Sequence, residues 1–380
     1  MSDKRKLKSF KRLKGIVVLS LFDGMSCGQI ALDKLNVNID AYYASEVDKY
    51  AIQVTKHNYQ NTIHIGSVVD ITIKRIDKFT ILLNDTYIID TRKLIVIGGS
   101  PCQGFSFAGK MLGSVTECNI EVTSLEQYID LKNKDFQFKG QSYLFWEYVR
   151  ILNEVQPQYY LLENVKMVKK WEKMFNDTMG REPIMINSAL VSAQTRKRLY
   201  WTNIPNIAQP IDRDLYIKDI LEDEVDDKYY MSNKSLRGFK RHKRRHKVRG
   251  NGFGFRPIEN MNTKSYTLTD SGKNRATDTY IKTIRLGDIG SNAQAHRVYS
   301  TNGKSVCLST ASGGQGSATG LYLIPKYYKI RKLTPKECER LQTVPDDYTS
   351  SVSDSQRYKM LGNGWTVEVI KHIFSSLFTI

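Results

Sequence analysis

The stretch "IVVLSLFDGMSCGQIALDKL", residues 16–35, decides the fold. Its opening, "IVVLSLF", is rich in β-branched side chains and reads as a strand. Its close, "CGQIALDKL", reads as a helix. Between them lies a strand-to-helix turn, the place where a doubly wound sheet binds nucleotides. A pyrophosphate-binding turn would read G-x-G-x-x-G. Here Gly24 and Gly28 flank Met25, Ser26 and Cys27, so the fingerprint fails and a NAD-dependent oxidoreductase is excluded. A nucleoside without phosphates tolerates this turn, and S-adenosylmethionine is the natural candidate.

Outward from this unit the alternation continues. "AYYASE" (41–46), "KLIVIGG" (93–99), "QYYLLEN" (158–164) and "PIMINSAL" (183–190) read as strands. "DKYAIQVTKHN" (48–58) and "SYLFWEYVRILNEV" (142–155) read as helices. Strands alternating with helices predict an α/β fold, a doubly wound, mainly parallel sheet covered on both faces. The pattern breaks near Pro205. From there to about residue 328 the chain is rich in Gly, Ser, Thr, Asn and charge, and reads as a smaller, irregular, β-rich domain. Helical pattern returns at "LTPKECERLQ", with Thr334 as N-cap, Pro335 at the first helical position and Glu337 closing a capping box. The expected division is a basic arm at 1–14, a catalytic and cofactor-binding domain at 15–204, the smaller domain at 205–328, and a C-terminal part at 329–380 that completes the catalytic domain.

The chain has 380 residues and a net charge of +18, from 57 Lys+Arg against 39 Asp+Glu. That excess favours a polyanionic partner, above all nucleic acid. The five cysteines are irregularly spaced and include no C-x-x-C pair, which speaks against a disulfide framework or a metal site. No apolar run is long enough to span a bilayer. The N-terminus lacks the apolar stretch of a signal peptide. A soluble cytoplasmic protein, with no metal and no membrane partner, is expected.

Three features carry chemistry. Glu46 ends the second strand, where an acidic side chain can accept hydrogen bonds from ribose hydroxyls. Cys102 follows Pro101 at the mouth of the "KLIVIGG" strand. A thiol there is either an inert core residue or a nucleophile, and Pro101 helps aim it by restricting its own φ and the conformation of Ser100. Glu163 ends a later strand. C-terminal strand ends share one edge of a parallel sheet, so Glu163 can come near Cys102. Its Leu161-Leu162 background is expected to raise its pKa, which suits a proton donor. In "QTRKRLYW" (194–201) the alternate positions of Gln194, Arg196 and Arg198 put all three on one face of an extended segment.

Taken in order, "FDGMSCG", "GGSPCQGFS", "LFWEYVRIL", "LLENV", "QTRKRLYW", "RKLTPKECERLQTVPDDY" and "LGNGWTVEVI" resemble the C5-cytosine DNA methyltransferases. The likeness covers nearly the whole chain outside 1–14 and 205–328. "LSLFDGMSCG" and "GNGWTVEVI" are similar to the mammalian de novo branch, whereas "PCQGFS" follows the bacterial pattern, so a bacterial or phage enzyme is implied. The resemblance implies an S-adenosylmethionine-dependent, Rossmann-like fold with a target-recognition domain at 205–328. It implies double-stranded DNA as substrate and S-adenosylhomocysteine as product. Cys102 would be the nucleophile that adds to cytosine C6, Glu163 the donor to ring N3, and Arg196 and Arg198 catalytic partners. Cofactor contacts would come from Phe22, Asp23, Gly24, Met25, Ser26, Gly28, Glu46, Val47, Ser67, Val68, Pro101, Asn363, Gly364 and Trp365. Substrate contacts would come from Ser100, Gln103, Ser106, Asn164 and Gln194. The chain departs from the family pattern at Ser26, where many members have glycine, and at Gly66-Ser67-Val68, which lacks the usual aspartate. Residues 111–140 are unusually long and are expected to elaborate the catalytic loop.

"RGFKRHKRRHKVRG" (237–250) packs eight Lys/Arg into one run. It reads as a phosphate-tracking segment, with Arg237, Lys240, Arg241, Lys243, Arg244 and Arg245 as DNA contacts. A monomer is expected, with a cognate restriction endonuclease as a candidate partner. Two other readings stand beside the main one: an RNA cytosine methyltransferase on the same scaffold, and a non-catalytic DNA-binding protein.

Overall fold

A computed structural model describes residues 15–102, 104–105, 113–229, 285–288, 297–301, 304–305, 321–324, 329–331 and 333–378. The N-terminal arm, Gln103, Ser106, and the basic run with Arg237, Lys240, Arg241, Lys243, Arg244 and Arg245 lie outside the described residues.

The first elements follow the sequence reading closely. Strand β1 (Ile16–Leu21) leads into helix α1 (Cys27–Asp33), β2 (Ile39–Ser45) into α2 (Lys49–Asn58), and the short β3 (Ile63–His64) follows. Asp48 caps α2 by accepting from the Tyr50 amide. A meander of β4 (Ile73–Arg75), β5 (Thr80–Leu83) and β6 (Tyr87–Asp90) then forms a separate antiparallel sheet. Next come β7 (Leu94–Gly98), α3 (Leu125–Asn133), α4 (Leu144–Val155), β8 (Tyr159–Val165), α5 (Lys169–Met179), β9 (Ile184–Asn187) and β10 (Lys197–Thr202).

Seven of these strands make one sheet in the order β3-β2-β1-β7-β8-β10-β9. The first five are parallel; β10 runs antiparallel to both β8 and β9. All five residues of β7 are buried, as the central strand of a sheet covered on both faces requires. Chain order changes direction between β1 and β7, so the ends of β1, β2, β7 and β8 border one switch point. Phe105, Phe145, Trp171, Phe175 and Trp201 form a buried aromatic cluster.

The chain divides into two compact units. The first takes the chain up to Asn187, then Lys197–Pro210 and Val367 onward, where α8 (Val367–Phe378, the last helix) returns to α1 through a 3.0 Å Lys34–Glu368 ion pair. The second takes Ser188–Arg196 and Ile211–Thr366. It holds a four-stranded sheet in the order β11 (Arg285–Asp288), β12 (Arg297–Ser300), β13 (Leu321–Ile324), β14 (Lys329–Arg331), then α6 (Pro335–Leu341) and α7 (Asp354–Asn363). These bounds differ from the expected ones. Residues 333–366 group with the second unit, and only α8 rejoins the first. The capping box of α6 is present: Thr334 Oγ1 accepts from the Glu337 amide, and Glu337 accepts from the Thr334 amide.

Candidate active site

The turn after β1 is tightly coiled. Phe22, Gly24 and Ser26 have φ of 58°, 60° and 62°. For a bulky residue such as Phe22 that left-handed conformation is strained, and strain of this kind clusters at functional sites. A Cβ on Gly24 or Gly66 would meet nothing within 4 Å, so open space lies before both turns. Met25, Ser26 and Gly28 are buried and shape the turn from behind.

Glu46 closes the other side. Its carboxylate accepts from the amides of Gly24 (2.7 Å), Val47 (2.7 Å) and Asp48 (2.8 Å). Three fixed N–H groups thus aim it and bind the β1 turn to the β2 end. A carboxylate has roughly four acceptor positions, which leaves one for a hydroxyl. Val47 beside it is 70% exposed, an apolar wall next to a charged acceptor. That combination fits a nucleoside, whose ribose needs an acceptor and whose base needs an apolar face. Asp23 accepts from Ser26 Oγ (2.5 Å) and Tyr42 OH (2.8 Å). Burial, with smaller help from the Glu46 charge, pushes its pKa up to about 6. Ser67 and Val68 open a short 3₁₀ turn, Val68–Asp70. Arg150 braces it, donating to the carbonyls of Ile71 (3.1 Å) and Val68 (3.4 Å) while pairing with fully buried Glu147. Sequence reading passed over Arg150. Its signal was the E-x-x-R-x-x-x-E spacing of Glu147, Arg150 and Glu154, which puts three charges on one helix face.

Cys102 and Glu163 leave neighbouring strands. β7 and β8 pair in parallel with Gly98 opposite Leu162, so the chain beyond Gly98 passes the end of β8. Asn164 makes the link: its Nδ2 donates to both the carbonyl and the hydroxyl of Ser100, each at 3.2 Å. Both residues are buried, so these polar atoms serve to hold the Ser100–Cys102 corner. Cys102 is partly buried and not in a disulfide. Glu163 is paired with Arg198, Nε to Oε1 at 2.9 Å, across the antiparallel β8–β10 pair.

Of the three predicted "QTRKR" site residues, Arg198 lies in β10, which begins at Lys197. Arg196 and Gln194 are buried and group with the second unit. Arg196 donates to the Gly364 carbonyl at 3.0 Å. Gln194 donates to the Leu341 carbonyl and to Gln342 Oε1. Gln342 is the hub that sequence reading missed. It donates to the carbonyls of Leu361 (2.6 Å) and Gly364 (3.1 Å) and also accepts from Thr366 (2.9 Å). These bonds shape the Asn363–Trp365 corner, and no periodicity announces them.

Of residues 111–140, expected to elaborate the catalytic loop, the described 113–140 include α3. Tyr128 and Lys132 of α3 both donate to buried Glu147 of α4. Among the described residues no cluster of His, Cys, Asp or Glu could hold a metal ion, and no helix is long and apolar enough to cross a membrane.

Residues 16–379 match the C-5 cytosine-specific DNA methylase family. The Type II methyltransferase M.HhaI of Haemophilus parahaemolyticus is 27% identical over 96% of this chain and 94% of its own length. The orphan methyltransferase M.SPRI of Bacillus phage SPR is 25% identical over 95% of this chain and 97% of its own. Among solved structures, S. pombe Dnmt2 methyltransferase superposes with a TM-score of 0.59 at 15% identity, covering 95% of this chain and 98% of that one. Entamoeba histolytica EhMeth gives 0.59 at 13% identity, with 96% and 98% covered. At such identities the structural likeness speaks for the fold alone.

Proposed function

The chain belongs to the C-5 cytosine-specific DNA methylase family, and from that premise we propose that it methylates C5 of a cytosine flipped out of duplex DNA, with S-adenosylmethionine as donor. The observation that carries this reading is the emergence of Cys102 and Glu163 from adjacent strand ends, with Asn164 gripping Ser100 and Arg198 gripping Glu163.

Cytosine C5 is a poor nucleophile inside an aromatic ring. The Cys102 thiolate adds to C6, forming an S–C bond and making C5 enamine-like. Glu163, oriented by Arg198, donates a proton or hydrogen bond to ring N3 and so stabilises the charge that addition places there. S-adenosylmethionine, when bound, supplies the electrophilic methyl group that C5 takes up. Loss of the C5 proton to solvent then restores the double bond and expels the Cys102 thiolate. Glu46 and Val47, with the Gly24 and Gly66 turns, are the residues that would hold the cofactor's nucleoside. A base stacked in the duplex is out of reach, so the target must be extruded, at a cost of a few kcal/mol. The 205–328 region supplies target recognition, and the basic run at 237–250 grips phosphates.

Incubation with labelled cofactor and either duplex DNA or transfer RNA tests the reading. Transfer to DNA, lost in Cys102→Ala while S-adenosylhomocysteine binding persists, supports it. Transfer to RNA alone, or substantial turnover by the Cys102→Ala variant, overturns it.

A further inference from the structure

The corner that presents Cys102 is held at three points. Asn164 holds Ser100 from the β8 side. The Phe105 amide donates to the Cys102 carbonyl at 3.0 Å, and the Phe105 ring is wholly buried, edge-on to Phe145, Trp171 and Phe175. The third point is Ser142, just before α4. Its Oγ accepts from the Gly104 amide at 3.0 Å. The Gly104 carbonyl in turn accepts from the Gly113 amide at 2.8 Å. Packing there is close: a Cβ on Gly104 would overlap Ser142 Oγ and fall 2.7 Å from the Gly113 carbonyl.

We propose that Ser142 is a positioning residue for the nucleophile, its hydroxyl fixing the Cys102–Phe105 turn through the Gly104 amide. The proposal rests on the reading of Cys102 above. The thiolate must meet C6 along a narrow path, and its direction is set by the backbone of Cys102, whose carbonyl is tied into this same turn. Removing the hydroxyl leaves the Gly104 N–H without that acceptor. Asn164 and the Phe105 ring still hold the flanks, so the fold survives while Gly104 gains freedom. Small misplacements at a reacting atom cost far more in rate than in binding.

The test compares wild type, Ser142→Ala and Ser142→Thr. Single-turnover methyl transfer with saturating duplex and cofactor should slow roughly tenfold in Ser142→Ala. Covalent trapping on a duplex carrying 5-fluorocytosine, with S-adenosylmethionine present, should slow in parallel, because addition and methyl transfer leave an adduct whose C5 has no proton to lose. The KM for DNA and the Kd for S-adenosylhomocysteine should stay within about twofold. Amide exchange of peptides covering 100–105 should be faster in Ser142→Ala, and Ser142→Thr, which keeps the hydroxyl, should restore both exchange and rate. Unchanged exchange in Ser142→Ala overturns the proposal, as does a loss of rate that Ser142→Thr fails to restore. If wild type itself transfers no methyl to DNA, the functional reading falls and the nucleophile's part of the proposal with it, and the exchange comparison then reads only whether Ser142 holds the turn.

Discussion

Asp23 shows how a single residue is set by its surroundings. An exposed aspartate titrates near 3.8, whereas burial raises this one to about 6. A carboxyl whose pKa is higher in the fold than in the unfolded chain favours folding when protonated. Its contribution is therefore fully present below about pH 4 and lost as pH climbs to about 6. Asp23→Asn stays neutral throughout. It should stabilise the protein relative to wild type at pH 7.5, by about 3 kcal/mol at most, and leave it unchanged near pH 4. Urea titrations at the two pH values check this; an equal effect at both would remove the burial account. None of this was legible in "FDGMSCG". Sequence put Asp23 at the right turn, but the depth of the site and the Tyr42 and Ser26 hydroxyls come from packing.

At the scale of elements, two glycines make a controlled comparison. Gly24 and Gly113 both take left-handed φ, 60° and 70°. Gly24 faces open space, whereas a Cβ on Gly113 would overlap the Trp171 ring. Gly24→Ala should cost only the backbone penalty, about 1–2 kcal/mol. Gly113→Ala adds overpacking of a buried aromatic cluster and should cost about 2–5 kcal/mol. Chemical denaturation of the two variants measures the difference directly, and equal losses would show that Trp171 yields freely. The elements themselves were well marked in the sequence. β1, β2, β7 and β8, α2 and α4, and the capping box of α6 all fall where composition and spacing place them. The β4–β6 meander and α3 were not foreseen, because short mixed segments carry no long period and take their structure from what they pack against.

For the molecule as a whole, the +18 charge is the dominant electrostatic fact of the sequence. Its densest run, 237–250, should supply affinity rather than sequence choice, since lysine-rich runs grip phosphates. Replacing Lys243, Arg244 and Arg245 with Ala should weaken binding about equally for specific and random duplexes. It should also flatten the slope of log affinity against log salt by about 0.9 for each phosphate the variant no longer neutralises. The methylated sequence should stay the same. Titrations at several salt concentrations, with bisulfite sequencing of the products, separate this from base reading. An altered methylation motif with an unchanged salt slope would reverse the assignment.

Sequence alone determined the α/β class, the failed phosphate fingerprint, and the positions of Cys102, Glu46 and Glu163 at strand ends. Those features depend on local period, on residue type and on the rule that parallel strands share a C-terminal edge, all of which survive in one dimension. Tertiary structure alone decided what those residues touch. It paired Arg198 with Glu163, and gave Arg196 and Gln194, buried in the second unit, partners there. It gave Asn164 to Ser100, Ser142 to Gly104 and Arg150 to the Val68 turn. The physical reason is that a side-chain hydrogen bond is satisfied by whatever group the fold brings within about 3 Å, and partners from 38 to 82 residues away leave no periodicity for a sequence to display.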